Sequence, residues 1–126
     1  MRKQYHFWPG TQRLDAWDVD RLIELTRSFP VFDVPLTSIN EVDSNYWFDY
    51  DCKPTVRRMV EHFRLTLDVD PTFPIILGGD GRVMDGMHRL ARALMAGEDT
   101  IRAVQFDVDP EPDFRDCSPG SCLTER

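Results

Sequence analysis

The sequence is short of cysteine, of positive charge and of glycine, and it holds no long apolar run. Three cysteines in 126 residues, Cys52, Cys117 and Cys122, are too few and too unevenly spaced for a disulfide framework. A zinc site would want four nitrogen or sulfur ligands, and the three histidines are not spaced to supply them, so Cys117 and Cys122 read as incidental. A reduced, cytoplasmic protein is the expectation. No stretch approaches the roughly 20 apolar residues that cross a bilayer, and the first residues do not read as a signal peptide, so no membrane partner is expected. Lys and Arg number 15 against 22 Asp and Glu, a net charge of −7. That balance argues against general nucleic-acid binding, where phosphate neutralisation supplies most of the affinity. Among the seven glycines, Gly78-Gly79 joins two strands with no helix directly after it, which excludes a Gly-rich nucleotide loop there. There are no internal repeats.

What is present describes one soluble domain, 41% hydrophobic and 29% charged, long enough to bury about two-thirds of its unfolded surface. The charge is uneven. Residues 15–52 carry nine acids against two bases, and residues 107–126 six against two, while residues 53–106 carry eight bases against seven acids. A small anionic ligand in a local pocket of that middle region suits the pattern better than a long polyanion.

The chain divides into an aromatic arm and helix (1–30), a central domain (31–106) and an acidic, proline-containing tail (107–126) that reads as loosely ordered. Tyr5-His6-Phe7-Trp8 ends at the turn signal Pro9-Gly10 and reads as a short strand or packed arm. Residues 15–29 read as a helix capped by Asp15 or Asp18 and ended by Pro30. Residues 31–34 suit a strand, with a turn or one helical turn over 35–39. Residues 54–67 give the clearest helix: Pro54 suits the first position, and Val56, Met59, Val60, Phe63 and Leu67 form an apolar stripe expected to face the core. His62 beside that stripe reads as a packing or surface histidine. Residues 74–77 and 82–85 form a hairpin, residues 87–96 a helix stopped by Gly97, and residues 101–106 a closing strand. This content predicts an α/β (α+β) fold, a small mixed sheet packed with helices and extended at its N-terminus by a helix.

The stretch Asp85-Gly86-Met87-His88-Arg89-Leu90 stands where a strand runs into a helix. Gly86 permits a sharp turn and a close approach to the main chain. The first amides of the helix have no partners within it, and with the helix dipole they suit an anion. His88 adds a side-chain donor, and Arg89 can grip two oxygens of a phosphate or carboxylate at once. Asp85 has three readings: a ligand for a metal such as Mg²⁺, a group that orients His88 or Arg89, or a helix cap.

These residues resemble the phosphate-binding loop of the ParB/sulfiredoxin superfamily, which places Gly-x-His-Arg or a variant of it at the start of a helix. The resemblance extends to Val34-Pro35-Leu36-Thr37-Ser38-Ile39, to Phe73-Pro74-Ile75-Ile76-Leu77 and to Thr100-Ile101-Arg102-Ala103-Val104, in the family's order. Met87 stands where a sulfiredoxin needs its cysteine, which excludes sulfinic-acid reduction. A complete partition protein, whose DNA-reading helices follow this domain, is not expected either. The nearest motif is that of the ParB-like free serine kinases, although Met87 replaces a histidine there.

The resemblance implies a nucleotide (ATP, ADP or CTP) or another phosphorylated small molecule held at Gly86, Met87, His88 and Arg89, with Arg57 or Arg58 within reach. It further implies a phosphotransferase or NTPase, with Mg²⁺ at Asp85 or a loop acid. A catalytic acid follows the first strand in the serine kinases, and Glu41 and Asp43 fall in the comparable region as candidate bases. They lie in a loop where Glu41, Asp43, Asp49 and Asp51 interleave with Tyr46, Trp47, Phe48 and Tyr50, which reads equally as a solvated surface loop. The alternative is a non-catalytic nucleotide-responsive or protein-interaction module, with a partner surface on the first helix or the aromatic loop. A homodimer is compatible with either reading, and a nuclease is disfavoured by the acidic charge.

Overall fold

The computed structural model describes residues 4–9, 14–48 and 52–117. Its architecture is α+β: two sheets and three helices. In chain order these are β1 (Tyr5–Pro9), β2 (Leu14–Asp18), α1 (Val19–Leu25), β3 (Phe32–Pro35), α2 (Val56–Asp68), β4 (Ile75–Leu77), β5 (Val83–Asp85), α3 (Met87–Met95), β6 (Thr100–Gln105) and β7 (Phe114–Cys117). Two short 3₁₀ turns, Leu36–Ser38 and Asn40–Asp43, follow β3.

The central sheet runs β3-β6-β4-β5. β3 pairs antiparallel with β6, β6 parallel with β4, and β4 antiparallel with β5. The parallel pair requires a crossover, which the β5–α3 segment supplies. Side chains alternate across the sheet, and its two faces build two cores. On one face Ile75, Leu77, Val83 and Ala103 pack with Val34, Leu36, Ile39 and, from α3, Met87 and Leu90. On the other, Ile76, Met84, Val104 and Phe106 pack with Trp17 and Leu22. The sheet is thus the middle of three layers, with α3 on one side and α1 with the second sheet on the other.

That second sheet, β1-β2-β7, draws together the two ends of the described chain. The tail, expected to be loosely ordered, therefore supplies a strand over Phe114–Cys117. The segment before it is tied down by polar groups. Trp17 Nε1 donates to the Pro110 carbonyl at 2.8 Å, the Asp18 amide donates to Asp113 Oδ2 at 2.7 Å, and Arg21 pairs with Asp113 at 3.1 Å. The rest of the tail call, residues 118–126, lies outside the described residues.

The helix expected over 15–29 is shorter, because Leu14–Asp18 pairs on both sides as a strand. Asp18 then caps α1 by accepting from the Asp20 amide, and Thr26 closes it with its hydroxyl on the Leu22 carbonyl. In α2 the cap is Thr55, which accepts from the Arg58 amide, so Pro54 precedes the helix instead of opening it.

The larger correction concerns which face of α2 is buried. The inward side chains are His62 and Thr66, while Val56, Met59, Val60, Phe63 and Leu67 lie between 37% and 80% exposed. Polar side chains occupy the inner face because they are satisfied there: Thr66 donates to the His62 carbonyl at 2.8 Å, and His62 has a ring partner on α3.

Burial sets the expected cost of truncation. Leu90→Ala empties a site with 0% exposure and should lose about 2–5 kcal/mol, whereas Phe63→Ala on the open face of α2 should stay within about 0.5 kcal/mol in the monomer. Urea unfolding of the two variants checks the assignment of faces.

Candidate functional site

The strand-to-helix junction is built around Gly86. Its φ is +106°, in the left-handed region, and it serves as the N-cap of α3 with no side-chain cap. A Cβ at this position would lie 2.7 Å from Ile75 Cγ2 and 2.8 Å from Arg89 Nη2. The missing side chain does two things: it lets β5 turn into α3 against the core, and it makes room for Arg89 to fold back over the N-terminus of its own helix.

Arg89 uses that room. Its Nη2 donates to Asp85 Oδ2 at 2.9 Å and to the Pro74 carbonyl at 3.3 Å. Its Nε is buried and has no hydrogen-bond partner among the described residues. A buried N–H without an acceptor costs roughly 1–3 kcal/mol; the Nε atoms of Arg21 and Arg82 are left in the same way, and what sets Arg89 apart is its place at the N-terminus of a helix. The electrostatics are also incomplete. A cation at a helix N-terminus faces the positive end of the dipole, and Asp85, 6% exposed, is the one carboxylate bonded to it among the described residues.

Two clefts open at this junction. A small one of about 110 Å³ is bordered by Asp85, Gly86, His88 and Arg89, with Gln4, Leu65 and Val69 opposite. A larger one of about 520 Å³ reaches Asp85 and Arg89 from the other side, walled by Ile23, Phe29, Val31, Phe73, Pro74 and Val104 with Thr26 and Arg27 among them. The larger cleft is mostly apolar and has the ion pair at one end.

Not every residue expected at the site is brought there by its side chain. Met87 is buried in the core beside Leu90, so only its backbone belongs to the junction. His88 is 5% exposed and turns its Nε2 to His62 Nδ1 at 2.8 Å. Trp47 stacks on both rings, 4.4 Å from His62 and 4.8 Å from His88, and Phe48 meets His62 edge-on. One of the two imidazoles must donate and the other accept, so they cannot both be cations without losing the bond. Arg57 is exposed on α2 and makes no hydrogen bond or ion pair among the described residues.

The candidate bases are elsewhere. Glu41 Oε2 accepts from the Val83 amide at 2.5 Å, so it latches the second 3₁₀ turn onto β5. Asp43 is exposed in that turn. Neither carboxylate borders the two junction clefts. Of the other loop acids, Asp49 and Asp51 lie outside the described residues, as does Tyr50. The junction also fits poorly as a protein-held Mg²⁺ site. Asp85 is committed to Arg89, and no group of three or more His, Cys, Asp or Glu that could hold a metal occurs among the described residues.

No family model, curated protein or solved structure matches this chain. The chemistry of the site rests on its geometry alone. Also among the described residues, no helix is long and apolar enough to cross a membrane. Cys52, expected to be reduced, is buried and disulfide-bonded.

Reading the residues singly missed two features. The histidine–tryptophan stack joins three side chains from the aromatic loop, α2 and α3, and its signal in the sequence was the density of aromatics over 46–50. A second polar cluster surrounds His6, 3% exposed, whose two ring nitrogens are buried without hydrogen-bond partners among the described residues. Arg82 lies 4.6 Å over Trp8 and 5.6 Å from Trp17, and it pairs with Asp109 at 2.9 Å and Asp80 at 3.2 Å. Burial, and after it the Arg82 charge, pushes the His6 pKa down from 6.5 to about 4.

Two outcomes follow from these arrangements. Gly86→Ala combines a left-handed φ with a contact too short for a Cβ, so it should destabilise by about 3 kcal/mol or more in denaturant unfolding. For His6 the unfolded chain binds a proton that the folded one refuses between pH 6.5 and about 4. Stability should therefore fall as pH drops through that window, by up to about 3 kcal/mol, and His6→Phe should flatten the loss.

Proposed function

We propose that this chain is a small-molecule-binding domain whose ligand carries a phosphate, and that the ligand is a nucleotide. The observation that carries the reading is the orphaned Nε of Arg89 at the uncapped N-terminus of α3. An anion there would accept from the first-turn amides of α3 and from the guanidinium, and it would answer the helix dipole and the cation together. Asp85 then serves as the internal counter-ion that holds Arg89 in place when no ligand is bound. The mostly apolar cleft that ends on this pair has room for the rest of the molecule, with Phe29 and Phe73 offering faces to a planar ring.

The resemblance to the ParB/sulfiredoxin superfamily supports the same junction. Turnover is a separate matter. With Glu41 latched to Val83 and Asp43 in an outer turn, the arrangement favours binding without phosphoryl transfer. A Mg²⁺ ion would arrive with the phosphates rather than be held by the protein beforehand. In this reading the chain is a nucleotide-responsive module, and transferase or NTPase activity is the second reading. A cytoplasmic setting belongs with a nucleotide ligand. The disulfide at Cys52 counts against it, because such bonds persist in oxidising compartments.

Thermal unfolding with ATP, ADP, CTP and GTP, each with and without Mg²⁺, tests the proposal. A ligand at a hundred times its dissociation constant should add about 2.7 kcal/mol, several degrees for a domain of this size. Arg89→Ala should remove the shift. If no nucleotide moves the wild-type transition, the proposed ligand class is wrong.

A further inference from the structure

Helix α2 presents its apolar stripe to solvent. At 100° per residue, Val56, Met59, Val60, Phe63 and Leu67 cluster on one side, centred about 100° from the inward His62 and Thr66. The five residues together expose on the order of 500 Å², an apolar patch of the size that marks an interaction site on a monomer. Two such faces brought together would bury about 1,000 Å², the lower bound of a specific interface.

Charge selects the occupant and its direction. On the flank of the stripe, the N-terminal end of the helix carries Arg57 and its C-terminal end carries Asp68, with Arg64 between them and Asp70 just beyond. A second copy laid parallel would set like charges against each other. Laid antiparallel, it sets the basic end of each helix against the acidic end of the other, and the stripe meets itself about a two-fold axis. The face is therefore complementary to itself, as an isologous contact requires.

We propose that a second copy of this chain docks antiparallel on α2, with Phe63 near the two-fold axis and Arg57 of each copy beside Asp68 of the other. The helix is 13 residues long, about 20 Å, and the five apolar side chains span most of that length. The interface lies on the outer face of α2, so the proposal stands independently of any ligand at the α3 junction.

Sedimentation velocity over a wide range of concentration tests it. The wild type should pass from the 14.7 kDa monomer to a dimer as concentration rises. Phe63→Glu should stay monomeric with an unchanged circular dichroism spectrum, and Leu67→Glu serves as a second variant on the same face. Arg57→Asp alone and Asp68→Arg alone should each weaken the dimer about tenfold, through two symmetry-related pairs, and the double variant should restore it. Only a self-complementary antiparallel contact predicts that rescue. A monomer at every concentration would overturn the proposal and give the face to another occupant, either residues 118–126 of the chain itself or a different protein. A dimer that survives both glutamate variants, or a double variant as weak as the single ones, would overturn it equally.

Discussion

The arrangement depends on one backbone position that no side chain can occupy. Gly86 sits at φ +106° with Ile75 of the adjacent strand pressed against the place where a Cβ would be. Because that place is empty, β5 can end and α3 can begin within a single residue, with Met84 and Asp85 still buried in the sheet and Met87 already in the core. The same emptiness lets the Arg89 guanidinium lie across the helix N-terminus. A turn forced by packing has thereby gathered a helix dipole, a cation and a carboxylate at one point.

That point is balanced without being saturated. Asp85 neutralises part of the local positive charge, but the pair leaves Arg89 Nε without an acceptor among the described residues, in a side chain that borders both clefts. The apolar cleft alongside adds a second reason to regard the junction as incomplete by itself. On the opposite face of the sheet, the His62–His88–Trp47 stack fixes α2 against α3 through hydrogen bonding and ring contacts rather than aliphatic packing. It also fixes the rotation of α2, which is why the apolar stripe of that helix is left outside.

Much of this was legible in the residues. Short apolar runs located β4, β5 and β6, the Gly78–Gly81 turn located the hairpin, and Gly86 with Gly97 bracketed α3. What the sequence could not show was context. Leu14–Asp18 has helical spacing when read with Leu22 and Ile23, but it is flanked by two strands that lie at opposite ends of the chain, and pairing outweighs propensity there. Phe114–Cys117 is unremarkable in isolation and becomes a strand only because β2 offers an edge. The stripe on α2 followed the rule that apolar faces turn inward. The rule failed because His62 and Thr66 had partners waiting, a fact no periodicity carries. At the site, the motif located Gly86 and Arg89, while the side chain of His88 and the carboxylate of Glu41 had been claimed by neighbours far away in sequence.

The central claim is that an anion sits on the first turn of α3 beside Arg89. Amide chemical shifts of nitrogen-15-labelled protein, followed while inorganic phosphate and then a nucleotide are added, test it most directly. The account predicts saturable shifts concentrated at Met87, His88 and Arg89, tighter with the nucleotide than with phosphate, with further shifts at Phe29 and Phe73 for the nucleotide alone. Shifts that are absent, that rise without saturation, or that gather elsewhere on the surface would contradict it.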